Sequence, residues 1–266
     1  SEKIRVKVGQ LNSKDFPANK KYAIPLSITG ASNYSLIPSQ RSAILLLNRS
    51  ILSSVAKVSG GEGIRIKPVG MHTKAEWTIQ MSAIYSSLTR SNLTTAYLSN
   101  GTGGEFYTRI SSTAGIQVKN GRDGDDTWTQ TPLQAGKWLH ITYVHKDKKT
   151  TVYVNGKVQK VFENSAITFG ENSMIVVGNS GYRNDYLREI RLWDKALTES
   201  EINDYLYLPM DPATPHLISY LPLSKEMETK DLKAPAGTEN VTTKARIEYV
   251  ENVKFPADEL VIVNQE

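Results

Sequence analysis

The sequence predicts an all-β protein, an antiparallel β-sandwich or jelly roll with one short helix, and three observations carry that prediction. Apolar and polar residues alternate with period two through most of the chain, as strands with one buried and one wet face require. The dipeptide Asn155-Gly156 stands between two such runs, and a two-residue type I′ turn needs positive φ at both positions. Only one stretch carries helix grammar, opened by the capping box Thr198-Glu-Ser-Glu201. Many short strands with a single short helix are the pattern of a sandwich.

In chain order, Ile4-Val6-Val8 opens the series, followed by Tyr22–Thr29, where Pro25 confines the run to a sheet edge or bulge, and by Ala43–Asn48. A boundary follows near residues 49–53. Fifty residues are few for an independent all-β domain without disulfides or metal, so residues 1–50 read as a short β segment and 51–266 as the main module. Within it come Gly63–Lys67 and Glu76–Ala83, the latter with Trp77, Ile79, Met81 and Ala83 on one face and polar residues on the other. Glu105–Ile110 and Trp138–His145 follow, with Leu139, Ile141 and Tyr143 paving one face. Thr150–Asn155 and Val158–Phe162 form the hairpin about Asn155-Gly156, with Met174–Gly178 and Arg188–Trp193 beyond it. Trp77, Trp138 and Trp193 all sit in strand alternation and are core candidates. The helix begins at Thr198 and runs through Ile202, Tyr205, Leu206 and Leu208 until Pro209 stops it. Glu226–Asn240 is polar and without pattern, after which Ala245–Val253 and Glu259–Val263 resume strand character.

Composition narrows the classes of function. The 266 residues include no cysteine, which removes disulfide scaffolds, thiol nucleophiles, iron–sulfur clusters and cysteine-based zinc sites. No apolar run approaches 18 residues, so no transmembrane helix is expected. The chain starts without a basic, apolar leader, which fits an export signal that was removed or never existed. A net charge of +5 invites a nucleic-acid reading, but no block of five or six Lys/Arg occurs. The densest basic stretch, His145–Lys149, reads as a hairpin turn between two strands, and a nucleic-acid partner is not expected. More telling are 13 tyrosines against 5 phenylalanines, since a ring with a polar tip suits half-exposed sheets and binding surfaces.

Four blocks resemble a known family. They are Gly136-Lys-Trp-Leu-His-Ile-Thr-Tyr-Val-His145, Thr151-Val-Tyr-Val-Asn-Gly-Lys157, Ile175-Val-Val-Gly-Asn179, and Tyr186–Thr198 with Glu201-Ile202. In this order they resemble the laminin-G-like, concanavalin-A-like jelly-roll superfamily, over roughly Ile51–Leu223. Tyr22–Thr29 with Ala43–Asn48 also looks like the later half of an immunoglobulin-like module found ahead of such domains in surface lipoproteins of Bacteroides-type bacteria. The resemblance implies an exported protein at the cell surface or in the periplasm, tethered by a lipid anchor outside this sequence and serving glycan capture.

The chemistry legible in the residues is that of binding. Glycoside hydrolases of the same superfamily use a Glu-x-Asp-x-x-Glu strand, which sets carboxylates on one face, and no such triplet exists here. His140 and His145 differ by an odd number, so on one strand they point to opposite faces and cannot share a metal. Calcium is the better metal question: Asn120–Asp126 offers Asp123, Asp125 and Asp126 as hard oxygens, although an Asp/Gly turn between strands explains them more simply than a metal site. A sugar needs a flat aromatic face together with planar amides, carboxylates or arginines for its hydroxyls. Trp128 beside Asp125 and Asp126 supplies one such mixture. Gly181–Tyr186, read as a loop bearing Tyr182, Arg183, Asn184, Asp185 and Tyr186, supplies another, and Tyr107 with Tyr97 and Asn100 a third. Against these stands the plainer reading that the rings merely pack the sandwich edge. Non-catalytic glycan recognition is therefore expected, with an adhesive protein-binding module as the alternative and a glycoside hydrolase third.

Overall fold

Alternation and turn chemistry generate antiparallel strands throughout the computed structural model, which describes residues 22–30, 37–47, 50–61, 63–69, 75–88, 97–99, 105–119, 127–163, 173–178 and 182–264, with 7, 9, 15, 16, 32 and 35 as isolated positions. The chain divides into two units, Ser1–Ile51 and Leu52–Glu266. In the first, β1 (Tyr22–Ser27) pairs antiparallel with β2 (Ser42–Leu47), Tyr22 opposite Leu47. The run at Ile4–Val8 lies outside the described residues.

The second unit contains β3 (Ile51–Gly60), β4 (Ile64–Ile66), β5 (Trp77–Ile84), β6 (Tyr97–Ser99), β7 (Glu105–Ser111), β8 (Gly115–Lys119), β9 (Leu139–Lys146), β10 (Lys149–Val154), β11 (Lys157–Glu163) and β12 (Met174–Val177). After these come β13 (Tyr182–Trp193), the helix α1 (Glu199–Asp204), β14 (Leu217–Leu221), β15 (Val241–Thr242) and β16 (Arg246–Phe255). One sheet runs β11-β10-β9-β5-β13-β3-β16, with β14 also on β13, and the other runs β15-β4-β12-β6-β7-β8. Their inner faces share one core: Trp77, Ile79, Met81, Ile141 and Tyr143 from the first sheet meet Ile64, Ile66, Phe106, Ile110 and Ile175 from the second. Trp77 and Phe106 pack edge to face with centroids 5.0 Å apart. This is the expected antiparallel sandwich with one short helix, and Trp77, Trp138 and Trp193 are all buried.

Local rules hold where backbone conformation is demanding. Asn155 and Gly156 take φ of 51° and 76°, closing β10 onto β11 with Val154 opposite Lys157. Asp147 and Lys148, at 51° and 61°, close β9 onto β10 in the same way, so the basic stretch is a hairpin turn. The capping box is complete, with Glu201 N–H donating to Thr198 Oγ1 and Thr198 N–H to Glu201 Oε2 at 2.8 Å.

Four expectations are corrected. The polar face of Glu76–Ala83 is not wet, because all eight residues of β5 are buried. On that outer face a second apolar cluster, Val144, Tyr153, Trp193, Leu197, Ile202, Met210, Leu217 and Tyr220, lies over the sheet. The polar residues under it are matched one by one. Trp193 Nε1 donates to Gln80 Oε1 at 2.9 Å, Thr78 Oγ1 donates to the Lys195 carbonyl at 2.8 Å, and Ser82 Oγ lies 2.7 Å from His140 Nδ1. Second, the helix ends at Asp204 rather than Leu208, because tertiary donors take the next carbonyls. Arg191 donates to Tyr205 and Leu208, and Arg188 to Tyr207. Third, Gly181–Tyr186 is no loop from Tyr182 onward: Tyr182 and Arg183 pair with Gly60 and Ser59, and Asn184 at φ 61° absorbs a bulge. Last, Glu259–Val263 forms no strand beyond an isolated bridge between Val253 and Ile262.

Candidate functional site

With one outer sheet face sealed, the six-stranded sheet decides where a ligand could lie. Its registers run straight across the outer face. Thr242 opposes Arg65, Arg65 opposes Val176, Val176 opposes Tyr97, Tyr97 opposes Tyr107, and Tyr107 opposes Lys119. The neighbouring row holds Arg109 opposite Gln117, and Gln117 bridges to Trp128. Directly opposed residues share a face. Tyr107, Arg109, Gln117 and Trp128 therefore form one patch on the outer side of β7, β8 and the segment beyond.

The patch has order built into it. The Arg109 guanidinium stacks 5.2 Å from the Tyr107 ring centroid while its Nε donates to the Tyr107 hydroxyl at 3.3 Å. Both residues are half-buried, as is Trp128. The Trp128 backbone is anchored because Lys160 Nζ donates to its carbonyl at 2.7 Å, and Thr129 N–H bonds the Ile116 carbonyl at 2.9 Å. Gln117 is 5% exposed; its Nε2 donates to Thr127 Oγ1 at 2.9 Å, and its Oε1 is buried with no hydrogen-bond partner. An unmatched buried acceptor costs about 1–3 kcal/mol. Over the opposite end of the same face lies a cavity of about 550 Å³ lined by Arg65, Lys67, Met174, Glu239, Asn240 and Thr242.

The predicted residues separate. Trp128 and Tyr107 come together on this patch. Tyr186 opposes Lys57 on the other sheet, so it cannot contribute to the same site. Asp185 is fully buried and accepts from the Ser86 amide at 2.8 Å and the Ser86 hydroxyl at 3.0 Å, which removes it as a ligand-facing group. Asn184 sits exposed on the bulge. Tyr182 and Arg183 are described in their backbone alone, as strand residues. Asp123, Asp125, Asp126 and Asn100 lie outside the described residues. Arg109 and Gln117 were missed, although Tyr107 to Arg109 spans one strand repeat and Gly115–Lys119 alternates as clearly as any run assigned.

Elsewhere, His140 and His145 serve structure. His145 stacks on Trp77 with centroids 5.1 Å apart and lies 3.0 Å from Thr150 Oγ1, and burial lowers its pKa to about 4. Burial first, and Arg188 and Arg191 second, push His140 to about 3. The two point to opposite faces as expected, and among the described residues no three His, Asp or Glu side chains gather as metal ligands. A second cavity, about 500 Å³, lies beside the segment that seals the large sheet and is lined by Leu52, Met210, Tyr220, Met227 and Glu189. Glu189 there is held by Arg188, Arg191 and Tyr220 and acts as a structural counter-ion. No helix among the described residues is long and apolar enough to cross a membrane.

Two antiparallel sheets around one core, with one outer face sealed and the other carrying rings and planar polar groups, define a jelly-roll sandwich of the lectin type of architecture. The chain belongs to the concanavalin A-like lectin/glucanases superfamily, whose Laminin_G_3 model matches residues 59–203, more than half of the sequence. Among solved structures, a Bacteroides ovatus protein provisionally described as carbohydrate binding is similar at 18% identity and a TM-score of 0.61, over 92% of this chain and 72% of its own. The heptameric SAP-like pentraxin of Limulus polyphemus is similar at 12% identity and TM-score 0.47, over 75% of this chain and 94% of its own. Domain 4 of AbnA, a GH43 extracellular arabinanase of Geobacillus stearothermophilus solved with arabinotriose, follows at 14% and 0.42, over 68% and 86%. At these identities the likeness is one of fold. No curated protein matches the chain.

Proposed function

We propose that the protein recognises glycans without cleaving them, through the outer face of its six-stranded sheet. One observation carries the reading: Tyr107, Arg109, Gln117 and Trp128 share one face of the six-stranded sheet, with both rings and the guanidinium half-buried, while a second apolar cluster covers the corresponding face of the larger sheet. Rings offer the apolar side of a sugar its platform, and the Arg109 guanidinium serves hydroxyls, while buried Gln117 sets the register between Arg109 and Trp128. The carbohydrate binding ascribed to the Bacteroides ovatus protein supports the same direction. Glycoside hydrolysis uses two carboxylates about 5–10 Å apart. The strands of this face bring one carboxylate residue, Glu105, to a described register position.

A glycan array tests the reading. Wild type binds at least one glycan, Trp128→Ala and Tyr107→Ala weaken that binding by about tenfold or more, and Tyr186→Ala, on the other sheet, leaves it unchanged. Binding to no glycan, or binding indifferent to both patch substitutions, refutes it. The calcium expectation at Asp123, Asp125 and Asp126 belongs to this proposal, and repeating the array in EGTA decides it. The sequence resemblance further carries the proposal of an exported, surface-held protein, which cell fractionation tests. Protein adhesion is the second reading, favoured by one feature: in the first unit Ile44 and Leu46 of β2 are 68% and 77% exposed.

A further inference from the structure

We propose that Arg109 makes this face selective for sugars that carry a carboxylate, uronic acids as a class; the inference rests on the reading above and names its ligand. Arg109 is half-buried, and two contacts with Tyr107 hold it: the guanidinium lies 5.2 Å from the ring centroid, and Nε donates to the hydroxyl at 3.3 Å. A guanidinium carries five N–H donors, so the four on Nη1 and Nη2 remain. Among the described residues these meet no hydrogen-bond acceptor and no carboxylate, and neither nitrogen is a buried atom. Arg188 and Arg191, by contrast, share Glu189, and half-buried Lys195 pairs with Glu201 at 2.5 Å. Arg109 is thus an oriented, partly desolvated charge whose counter-ion is supplied by no described residue. Its attraction for an anion grows as a ligand withdraws water from the pair.

The remaining edge decides which anion fits. With Nε committed to Tyr107, the end of the fork, Nη1 with Nη2, is left for a ligand, and its two parallel N–H groups match the two oxygens of a carboxylate in one plane. Register sets the distance to the rings. Arg109 opposes Gln117 and Gln117 opposes Trp128, so Arg109 and Trp128 stand two strand spacings apart, about 10 Å at ~4.8 Å each. Tyr107 lies one strand repeat away along β7. A sugar ring on either aromatic face brings its own carboxylate, or that of the next residue, to the fork, whereas a neutral sugar offers the fork hydroxyls alone. The selectivity asked of the site rests on this one guanidinium, with Tyr107 as its positioning residue.

Titration calorimetry on the full chain tests this with paired oligosaccharides. Oligogalacturonate, oligoglucuronate and oligomannuronate are each compared with their neutral methyl esters, and a carrageenan oligosaccharide, whose charges are all sulfates, with its desulfated form. The expected result is that at least one acid outbinds its ester by about tenfold in low salt, with the ratio shrinking as salt rises. Arg109→Gln brings that ratio to about one, and Arg109→Lys, which keeps the charge and loses the fork, leaves it between the two. Tyr107→Phe keeps the ring and releases Nε, so it lowers the ratio as well, and it is the variant to use should Arg109→Gln fold poorly. Acids and esters binding alike, or a ratio that survives Arg109→Gln, overturns the proposal while the glycan reading stands. A preference confined to the sulfated member overturns it too, as does binding of a neutral glycan on the array without binding of any uronate. Failure of every glycan to bind removes both readings.

Discussion

Replacing Glu189 by Gln tests the claim that a buried counter-ion holds the segment covering the outer face of the large sheet. Glu189 is 4% exposed and sits between two buried arginines, with Arg191 Nη2 at 2.5 Å and Arg188 Nη2 at 3.4 Å, while the Tyr220 hydroxyl donates to it at 3.0 Å. Those arginines hold the carbonyls of Tyr205, Tyr207 and Leu208, and the Arg188 guanidinium lies 4.1 Å from the Phe255 ring centroid. Removing the carboxylate charge leaves two buried cations without their counter-ion, a change that costs about 3–5 kcal/mol, and the remaining hydrogen bonds of Gln put the loss near 3. For a unit of this size each kcal/mol is worth about 2–4 °C, so the midpoint falls by roughly 6–12 °C. Thermal unfolding followed by circular dichroism, with urea titration for the free energy, gives the number. Adding Arg191→Met removes one uncompensated charge and recovers part of the loss. A Glu189→Gln protein within about 1 kcal/mol of wild type, or a double variant worse than the single, refutes the counter-ion argument.

Acid should weaken the fold through His145: its folded pKa of about 4 lies below the usual 6.5, so the unfolded chain takes a proton that the folded one refuses. The stability is fully present above pH 6.5 and is lost as pH falls toward 4, by about 2 kcal/mol at pH 5 from this residue; urea titrations at pH 7 and 5 read it, and His145→Phe, which keeps a ring over Trp77, removes about half of the slope, the remainder belonging to His140 at about 3. Trp193→Phe strands the buried Gln80 Oε1 and costs about 1–3 kcal/mol, measured by the same titration, with a neutral result contradicting the bond. Gly156→Ala forces a side chain onto a φ of +76° and sets its Cβ 2.0 Å from Asn203 Oδ1. It should lose about 1–2 kcal/mol, whereas Gly136→Ala, with φ +76° and open space around it, should lose less.

Much of the fold was legible in single residues. Asn155-Gly156 and Thr198 with Glu201 fold as their local chemistry demands because a turn or a cap is decided by neighbours in sequence. The alternation of Trp77, Ile79 and Met81, and of Leu139, Ile141 and Tyr143, found the inner face of the large sheet. The site was only partly legible. Trp128 and Arg109 are 19 positions apart in sequence but flank Gln117 on its two sides, one row from Tyr107, whereas Asp185 and Tyr186 are adjacent and part to opposite sides of their strand. Two bulges in β13, at Asn184 and Glu189, break the period of two, which is why its first half read as a loop and why both Arg188 and Arg191 point outward.

By itself, then, the sequence determined the antiparallel sandwich, its turns, its capped helix and the rings worth inspecting, because each follows from interactions a few residues long. Tertiary structure decided that a second apolar cluster covers the outer face of the larger sheet. That cover depends on residues 194–234 folding back over β5 and β13 to match Thr78, Arg188, Glu189 and Arg191 with distant partners, and no periodicity in those strands records the partner that will cover them.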